Sequence, residues 1–226
     1  MPESGIPQKK EAIISAAHRR FAHYGYSKTT MDEIAGDLGM GKASLYHYFP
    51  TKESLFCAVM EEEQDSFILQ AGSLVDGDDT AGEMLHAYAD RRLDFFRNAL
   101  ILGKFSPDAY LSIKPAMSAI MDTFARRELD ILTRAIGRGI TRGEIGGDGT
   151  DQVATLFLHI LQGLRMRVFR TRTLEPVDDA PFDELRRETH LAITIFLRGL
   201  QPRAEMSPSP RAAANQDNPD TITRIP

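Results

Sequence analysis

The sequence has very little cysteine, because Cys57 is the single thiol among 226 residues. One cysteine excludes an intrachain disulfide framework and is typical of a protein that folds in a reducing compartment. No apolar run approaches the ~18 residues that a transmembrane helix requires, and the amino-terminal residues MPESGIPQKK lack the apolar core of a secretory signal. These absences predict a soluble, cytoplasmic protein that contacts no membrane.

The chain also lacks the motifs of the common enzyme classes. It contains no His-x-x-x-His pair, no glycine-rich phosphate loop and no nucleophile elbow. Glu83 and His86 form one Glu-x-x-His, but a di-iron helical bundle requires two such pairs and two further glutamates. The sequence therefore predicts no enzyme, no bound metal and no cofactor.

Strand-like alternation of apolar and polar residues is missing as well. Apolar residues recur with helical spacing, and beyond residue 80 the helical segments are 81–103, 107–114, 116–143, 150–173 and 180–200. The predicted fold is all-α, with an amino-terminal three-helix domain at residues 1–56 and a helical bundle at residues 57–201. Residues 202–226, rich in proline and small polar side chains, are predicted to be a disordered tail.

Excess positive charge is absent too. The whole chain has a net charge of −5, and residues 1–56 hold seven Lys and Arg against six Asp and Glu. A protein that binds nucleic acid without sequence preference carries a strong basic surplus. If the amino-terminal domain binds DNA, its affinity must depend on geometry and on dimerisation rather than on bulk charge.

What the sequence does contain is a helix-turn-helix pattern between residues 29 and 52. Thr30 followed by Glu33 is a capping box, which predicts that a helix begins near Met31. The apolar positions of that helix at i, i+3, i+4 and i+7 are Met31, Ile34, Ala35 and Leu38. Gly39 permits the backbone that ends the helix, and Gly41 is placed to cap the next one without a hydroxyl. A helix, a short glycine-containing turn and a second helix form this motif.

The second helix of the pattern, residues 42–49, has an outward face without acidic residues. If Leu45 and Phe49 face the core, Ala43 and His47 point away from it, with Ser44 and Tyr46 flanking them. Lys42 and Tyr48 lie nearer the seam with the core. Such small, hydroxyl-bearing and aromatic side chains can reach base edges and phosphates.

Lys52 lies in the first turn of the following helix, where the helix dipole disfavours a cation. That placement is reasonable if a DNA phosphate docks there. The alternative is an ordinary solvated lysine.

The stretch IISAAHRRFAHYGYSKTTMDEIAGDLGMGKASLYHYFPTKESLFCAVM, at residues 13–60, closely resembles the amino-terminal DNA-binding domain of the TetR family of bacterial transcriptional regulators. The resemblance implies a homodimeric, all-helical regulator, usually a repressor, whose carboxy-terminal domain binds a small molecule and thereby releases DNA. It implies phosphate contacts by Thr29, Thr30, Tyr48 and Lys52. It implies base contacts by Ala43, Ser44, Tyr46 and His47, with Lys42 in either role. Gly41 departs from the family pattern, because many relatives have serine there.

Two further helices support this motif. The first is predicted over about Gln8 to Tyr24, with Gly25 at the position that ends a helix. A long helix that begins near Lys52 belongs to both domains, so we expect a shift of its far end to move the amino-terminal domain.

The segment FSPDAYLSIKP, bracketed by Pro107 and Pro115, predicts an irregular region between bundle helices, where a ligand cavity can open. The candidate ligand-binding residues are aromatic or methionine side chains around it: Tyr88, Phe95, Phe96, Phe105, Tyr110, Met117, Met121 and Phe124. They predict a small, largely apolar effector. The alternative is that they form the ordinary core of a bundle.

The last two helices carry more apolar residues than one helix face can hold. A helix that is apolar on two sides must bury both, one against its own bundle and the other against a second copy. The pattern therefore predicts a homodimer. Its candidate interface residues are Phe157, Leu161, Leu164, Val168, Ile193, Phe196 and Leu197.

The predicted function is that of a transcriptional regulator, in which a homodimer binds a palindromic double-stranded DNA operator and a small-molecule effector releases it. Its two recognition helices would enter successive major grooves ~34–36 Å apart. An enzyme and a helical interaction module that has lost DNA binding are the alternatives. Titration with DNA separates all three, whereas the choice between repressor and activator stays open.

Overall fold

The computed structural model describes residues 5–104, 107–147, 149–171 and 180–202. These ranges contain helices and connecting turns but no strand, which confirms the all-α prediction. The helices are α1 (Gly5–Tyr24), α2 (Met31–Asp37), α3 (Lys42–Tyr48), α4 (Lys52–Val75), α5 (Ala81–Gly103), α6 (Pro107–Thr141), α7 (Thr150–Thr171) and α8 (Ala180–Gly199). The tail predicted beyond residue 202 lies outside the described residues.

Local capping signals set the start of α2. The Thr30 hydroxyl accepts the Glu33 amide at 3.3 Å, and the Glu33 carboxylate accepts the Thr30 amide at 2.9 Å, which completes the predicted capping box. Met31, Ile34 and Ala35 are buried, as their spacing predicts. The backbone of Gly39 has a φ of 60°, a conformation that glycine adopts without strain and that ends this helix.

Helix α4 joins the amino-terminal helices to the bundle. Its buried side chains run from Leu55 to Val75, and it packs against α1, α5 and α6. Buried residues from α1 to α8 form one continuous cluster along it. The structure therefore gives α4 the shared position expected from the sequence, while the division at residue 56 stays a prediction.

Helix α6 corrects the sequence-based prediction of two segments separated near Pro115. It is one helix from Pro107 to Thr141 that continues through Pro115. A proline inside a helix removes the hydrogen bond to the carbonyl four residues earlier, here that of Leu111. Leu111 and Pro115 are both exposed, so water can satisfy the carbonyl and the helix is not forced to end.

The bundle core contains a buried polar group of three side chains. Tyr88 of α5 donates to one oxygen of Glu128 on α6 at 2.6 Å, and Arg92 donates to both oxygens of the same carboxylate. All three residues are buried. Burial raises the pKa of the Tyr88 hydroxyl well above its usual range. A buried carboxylate is tolerated because each of its oxygens is paired.

The candidate ligand-binding residues have mixed positions. Tyr88, Phe95, Phe96 and Phe124 are buried, with ring centroids of Phe95 and Phe124 5.0 Å apart, while Met117 and Met121 are partly buried. A void of about 10 Å³ beside Tyr88, lined also by Met84 and Leu132, has room for about one water molecule. Phe105 and the side chain of Tyr110 lie outside the described residues. In the described bundle these rings are packed core, and the effector cavity stays a prediction.

Several of the predicted dimer residues are buried within the chain itself. Phe157, Leu161 and Ile193 are buried in the core of the chain itself, with exposed fractions of 1%, 5% and 1%. Leu164, Phe196 and Leu197 are partly buried against the same chain, and the side chain of Val168 is outside the described residues. The exposed apolar side chains of α7 and α8 are Leu156, Met166, Leu191 and Ile195. The helices are apolar on two sides as predicted, but the residues predicted for the dimer interface mostly belong to the inner side.

No helix in the described part of the chain is long and apolar enough to cross a membrane. Within the same residues, no three His, Cys, Asp or Glu side chains are grouped so that they could hold a metal ion.

Candidate nucleic-acid interface

Helix α3 presents the face that its sequence predicts. Leu45 and Phe49 are buried and fix the helix against the core, with Phe49 at its carboxy-terminal cap. The residues exposed on the opposite side are Lys42, Ala43, Ser44, Tyr46 and His47, and Tyr48 is partly exposed. The predicted orientation is confirmed, and contact of these side chains with DNA stays a prediction.

The start of α3 is built from backbone alone. Gly41 is the cap residue, with φ −68° and ψ 142°, and no side chain accepts the free amides of the first turn. A Cβ atom added at Gly41 would meet no other atom within 4 Å, so the position could hold serine without a clash. The departure from the family pattern therefore removes a capping hydroxyl at a position where the surrounding structure leaves space for one.

Lys42, the first residue of α3, forms an ion pair with Asp32 of α2. Its Nζ atom lies 2.8 Å from Oδ1 and 2.9 Å from Oδ2 of the carboxylate. The hydrogen bond to Asp32 raises the pKa of the Lys42 ammonium above its usual range. Both side chains are about 60% exposed, at 60% and 59%, so the pair lies in water at the edge of the α3 surface.

The two threonines before α2 differ in their surroundings. Thr29 is 1% exposed, and its hydroxyl donates to the Gly25 carbonyl at 2.9 Å. This geometry disfavours the predicted phosphate contact by the Thr29 side chain, because its hydroxyl is buried and already bonded, and the contact itself stays a prediction. Thr30 is exposed, although its hydroxyl donates to Glu33 at 2.8 Å within the capping box.

Lys52 fastens α4 to the turn that precedes α2. Its Nζ atom donates to the carbonyl oxygens of Tyr26 and Thr29, each at 3.0 Å, and lies 4.3 Å from the centre of the Tyr26 ring. Partial burial lowers the pKa of this ammonium. Two of its three donors are thus used inside the protein, so the geometry favours a structural role over the predicted phosphate contact.

Tyr26 connects this turn to three helices. Its buried ring packs against Phe21 of α1 and Phe56 of α4, and its hydroxyl donates to Glu53 at 2.9 Å. Its backbone amide donates to the carbonyl of Gly103, at the end of α5, at 2.9 Å. The bundle therefore contacts the turn before α2 directly through the end of α5, and not only through α4.

A second ion pair fixes α1 to α2. Arg20 donates through two nitrogens to the two oxygens of Asp37, at 2.6 and 2.8 Å, and Glu33 lies 3.4 Å away. The planar guanidinium makes this paired geometry specific. Arg20, Lys42 and Lys52, three of the seven Lys and Arg in residues 1–56, are thus bonded to groups of the protein itself.

Sequence reasoning missed Asp32, Tyr26 and the end of α5 as parts of this region. Asp32 lies ten residues before its partner and Tyr26 lies 77 residues before Gly103, so neither contact leaves a local signal. The capping box was found because its two residues are three positions apart.

Comparison with known proteins gives matches at two scales. Residues 13–59 match the family described as "Bacterial regulatory proteins, tetR family". Over most of its length the chain is similar to a transcriptional regulator from Cytophaga hutchinsonii of known crystal structure. The two are 36% identical, with a TM-score of 0.79, over 85% of this chain and 98% of that one. A TetR-family transcriptional regulator from Pectobacterium atrosepticum shares the fold, with 18% identity, a TM-score of 0.66 and coverage of 90% and 100%.

A curated relative is similar over a shorter stretch. The HTH-type transcriptional regulator RutR of Escherichia coli strain K12 is 38% identical over 63 residues, which cover 28% of this chain and 30% of RutR. The chain thus aligns with less than a third of that relative's length. The likeness to the Cytophaga regulator, unlike that to RutR, extends through both the amino-terminal helices and the bundle.

Proposed function

The chain belongs to the tetR family of bacterial regulatory proteins, and on that premise we propose that it is a sequence-specific DNA-binding transcriptional regulator, acting as a homodimeric repressor. The observation that carries the proposal is the α3 surface, in which five adjacent residues are exposed on a helix held by buried Leu45 and Phe49. A helix of this kind fits the major groove of B-DNA.

The roles within the surface follow from position and chemistry. Ala43, Ser44, Tyr46 and His47 are placed to meet base edges, where hydroxyl and imidazole groups form hydrogen bonds and a methyl group contacts thymine. Tyr48 and Thr30, at the border of the surface, are assigned to phosphates. Thr29 and Lys52 are assigned to the support of the turn rather than to DNA.

A second copy is proposed to cover the exposed apolar residues of α7 and α8. Leu191 and Ile195 lie one helical turn apart on α8, both 61% exposed, and Leu156 on α7 is 55% exposed. A self-complementary contact through these helices would give a two-fold dimer. Two copies of α3 would then meet two half-sites of a pseudo-palindrome about 10–10.5 base pairs, or a multiple, apart.

Release of DNA by a small, largely apolar effector is part of the same proposal. The aromatic core of the bundle would surround such a molecule, and the end of α5 is bonded to Tyr26 before α2. A ligand that favours a different position of α5 or α4 would change the spacing of the two α3 helices and so lower operator affinity.

Selection of bound sequences from a random duplex library tests the DNA proposal. The full-length protein should enrich a pseudo-palindrome, and His47→Ala should change the enriched bases at fixed positions without loss of folding. Leu69→Ala, at an exposed position of α4, is the matched control and should enrich the wild-type sequence. Enrichment of no sequence by the wild-type protein in moderate salt would reject the proposal.

A further inference from the structure

The ion pair between Asp32 and Lys42 sits beside the recognition surface yet has no role in the proposed contacts. Asp32 lies in the first turn of α2, and Lys42 begins α3, so the pair bridges the two helices of the motif. The Lys42 ammonium also lies 5.8 Å from the centre of the Tyr46 ring. The Asp32 carboxylate is therefore hydrogen-bonded to the Lys42 ammonium on the surface assigned to DNA.

Two other cations of the domain are arranged differently. Arg20 ties α1 to α2 through Asp37, and Lys52 donates to two carbonyl groups in a partly buried position. Lys42 is 60% exposed and belongs to α3 itself, so its ammonium can turn toward DNA without breaking the support of the fold.

We propose that Asp32 is a specificity-determining residue of the DNA-binding surface, because its carboxylate holds the Lys42 ammonium in place and opposes DNA that offers only phosphates. The inference rests on the proposed DNA-binding function. An ammonium has three donors, so Lys42 can keep one bond to Asp32 and give another to a base acceptor such as guanine O6 or N7.

On random DNA, Lys42 must exchange one ion pair for another. It can contact a phosphate only by leaving Asp32, whose unpaired carboxylate then faces the charged DNA backbone. One phosphate contact contributes about −0.9 to the slope of log affinity against log salt, and repulsion of Asp32 offsets that gain. The pair thus lowers non-specific affinity more than operator affinity.

The test compares Asp32→Asn with Asp65→Asn in the full-length protein. Asp65 is an exposed carboxylate on α4 that pairs with Arg127 at 2.5 Å, so its replacement makes the same charge change away from the recognition surface. Each variant is titrated with random-sequence duplex over a range of salt, and with the duplex that the wild-type protein selects. Thermal unfolding checks that both variants fold.

Relative to 1 M salt, where the two proteins should bind alike, Asp32→Asn should raise affinity for random duplex by roughly eightfold per bound α3 at 0.1 M, because a slope change of about 0.9 over a tenfold step in salt is that factor. Affinity for the selected duplex should rise less, so the specificity ratio falls. Asp65→Asn should resemble wild type in both measurements, and Asp32→Glu should restore the ratio. In a Lys42→Met background, Asp32→Asn should change the salt slope by less, because no ammonium is freed and only the repulsion by the carboxylate is removed.

Two outcomes would overturn the proposal: equal behaviour of Asp32→Asn and Asp65→Asn on random duplex, or an equal rise in affinity for both duplexes with Asp32→Asn. The second outcome would show that Asp32 lowers affinity for all DNA through its charge alone and does not contribute to specificity. If the wild-type protein selected no sequence, the proposed function would fail. The comparison on random duplex needs no operator and would still decide whether Asp32 opposes phosphate contact.

Discussion

At the residue scale, Lys52 is held by the carbonyl groups of Tyr26 and Thr29, and its replacement distinguishes a structural role from a phosphate contact. Lys52→Met keeps an unbranched apolar stem but leaves both carbonyls without this donor. We expect a loss of about 1–3 kcal/mol in the free energy of unfolding, because bonds from charged donors are stronger than neutral ones. Urea unfolding measures the loss.

The salt dependence of DNA binding provides the second readout for Lys52. If the residue contacts no phosphate, Lys52→Met should leave the slope of log affinity against log salt unchanged. A phosphate contact would instead reduce the slope by about 0.9 per bound domain. Lys114→Met, at an exposed position of α6, controls for the loss of one positive charge. A shallower slope with unchanged stability would show that the structural assignment is wrong.

His18 and Glu63 form a pH-dependent contact between α1 and α4. Their Nε2 and Oε1 atoms are 3.0 Å apart, and the hydrogen bond to Glu63 raises the pKa of His18 above 6.5. Because the folded-state pKa is the higher one, the stabilisation is fully present below the unfolded pKa. It is lost as pH rises through the folded pKa.

His18→Gln should therefore lower the melting temperature more at pH 5.5 than at pH 8.5. The pair is partly exposed and screened by solvent, so we expect at most about 1 kcal/mol, or roughly 2–4 °C for a chain of this size. Glu63→Gln should remove the same pH-dependent difference. An equal effect of His18→Gln at both pH values would contradict the pairing.

At the element scale, the turn after α1 and the end of α5 are fitted closely together. Gly25 has a φ of 81°, and a Cβ atom there would lie 2.6 Å from the Cβ atom of Lys104. Lys104, which ends α5, has a φ of 35° although it is not glycine. A strained backbone at Lys104 and a close contact with Gly25 therefore occur together where the end of α5 meets the turn after α1.

Gly25→Ala should destabilise the protein by about 1–3 kcal/mol, because alanine is strained at this φ and clashes with Lys104. Lys104→Gly should be neutral or stabilising alone, since glycine relieves the strained backbone. In the double variant the Lys104 Cβ atom is gone, so part of the Gly25→Ala loss should return. Thermal unfolding of the four proteins measures the coupling, and strictly additive losses would show that the two residues do not interact in this way.

The elements that could be predicted from the sequence are those that local chemistry determines. The capping box at Thr30 with Glu33 joins residues three positions apart, and it is present. Pro115 shows the limit of the same reasoning. The rule that proline ends a helix predicted a break there, but α6 continues because the Leu111 carbonyl can be hydrated. Gly25 and Lys104 contact each other although they are far apart in the chain, so no local pattern predicts this contact.

At the scale of the whole molecule, periodicity showed that α7 and α8 are apolar on two sides but not which side is inward. Phe157 and Ile193 were predicted to lie in the dimer interface but are buried in the core, whereas Leu156, Leu191 and Ile195 remain exposed. Residues one position apart on a helix differ by 100° in direction, so a small error in orientation exchanges the two faces. Only the packing of all the helices together resolves it.

Replacement of exposed and buried apolar residues of α8 should therefore have different effects. Leu191→Asp places a charge in the proposed contact between copies and should convert a dimer to a monomer while the chain stays folded. Leu69→Asp, at a 77% exposed position of α4, is the matched control and should leave the oligomeric state unchanged. Sedimentation equilibrium at several protein concentrations measures both.

Ile193→Ala should instead lower the free energy of unfolding by about 2–5 kcal/mol, because it leaves a cavity in the core of each chain. The monomer made by Leu191→Asp should bind the selected duplex far more weakly, since two linked α3 helices gain 10²–10⁴-fold over one, an order-of-magnitude range. A dimer that persists in Leu191→Asp would place the contact on another surface. If that variant instead remained monomeric yet bound the selected duplex at full affinity, one α3 would suffice and the two-fold operator would be wrong.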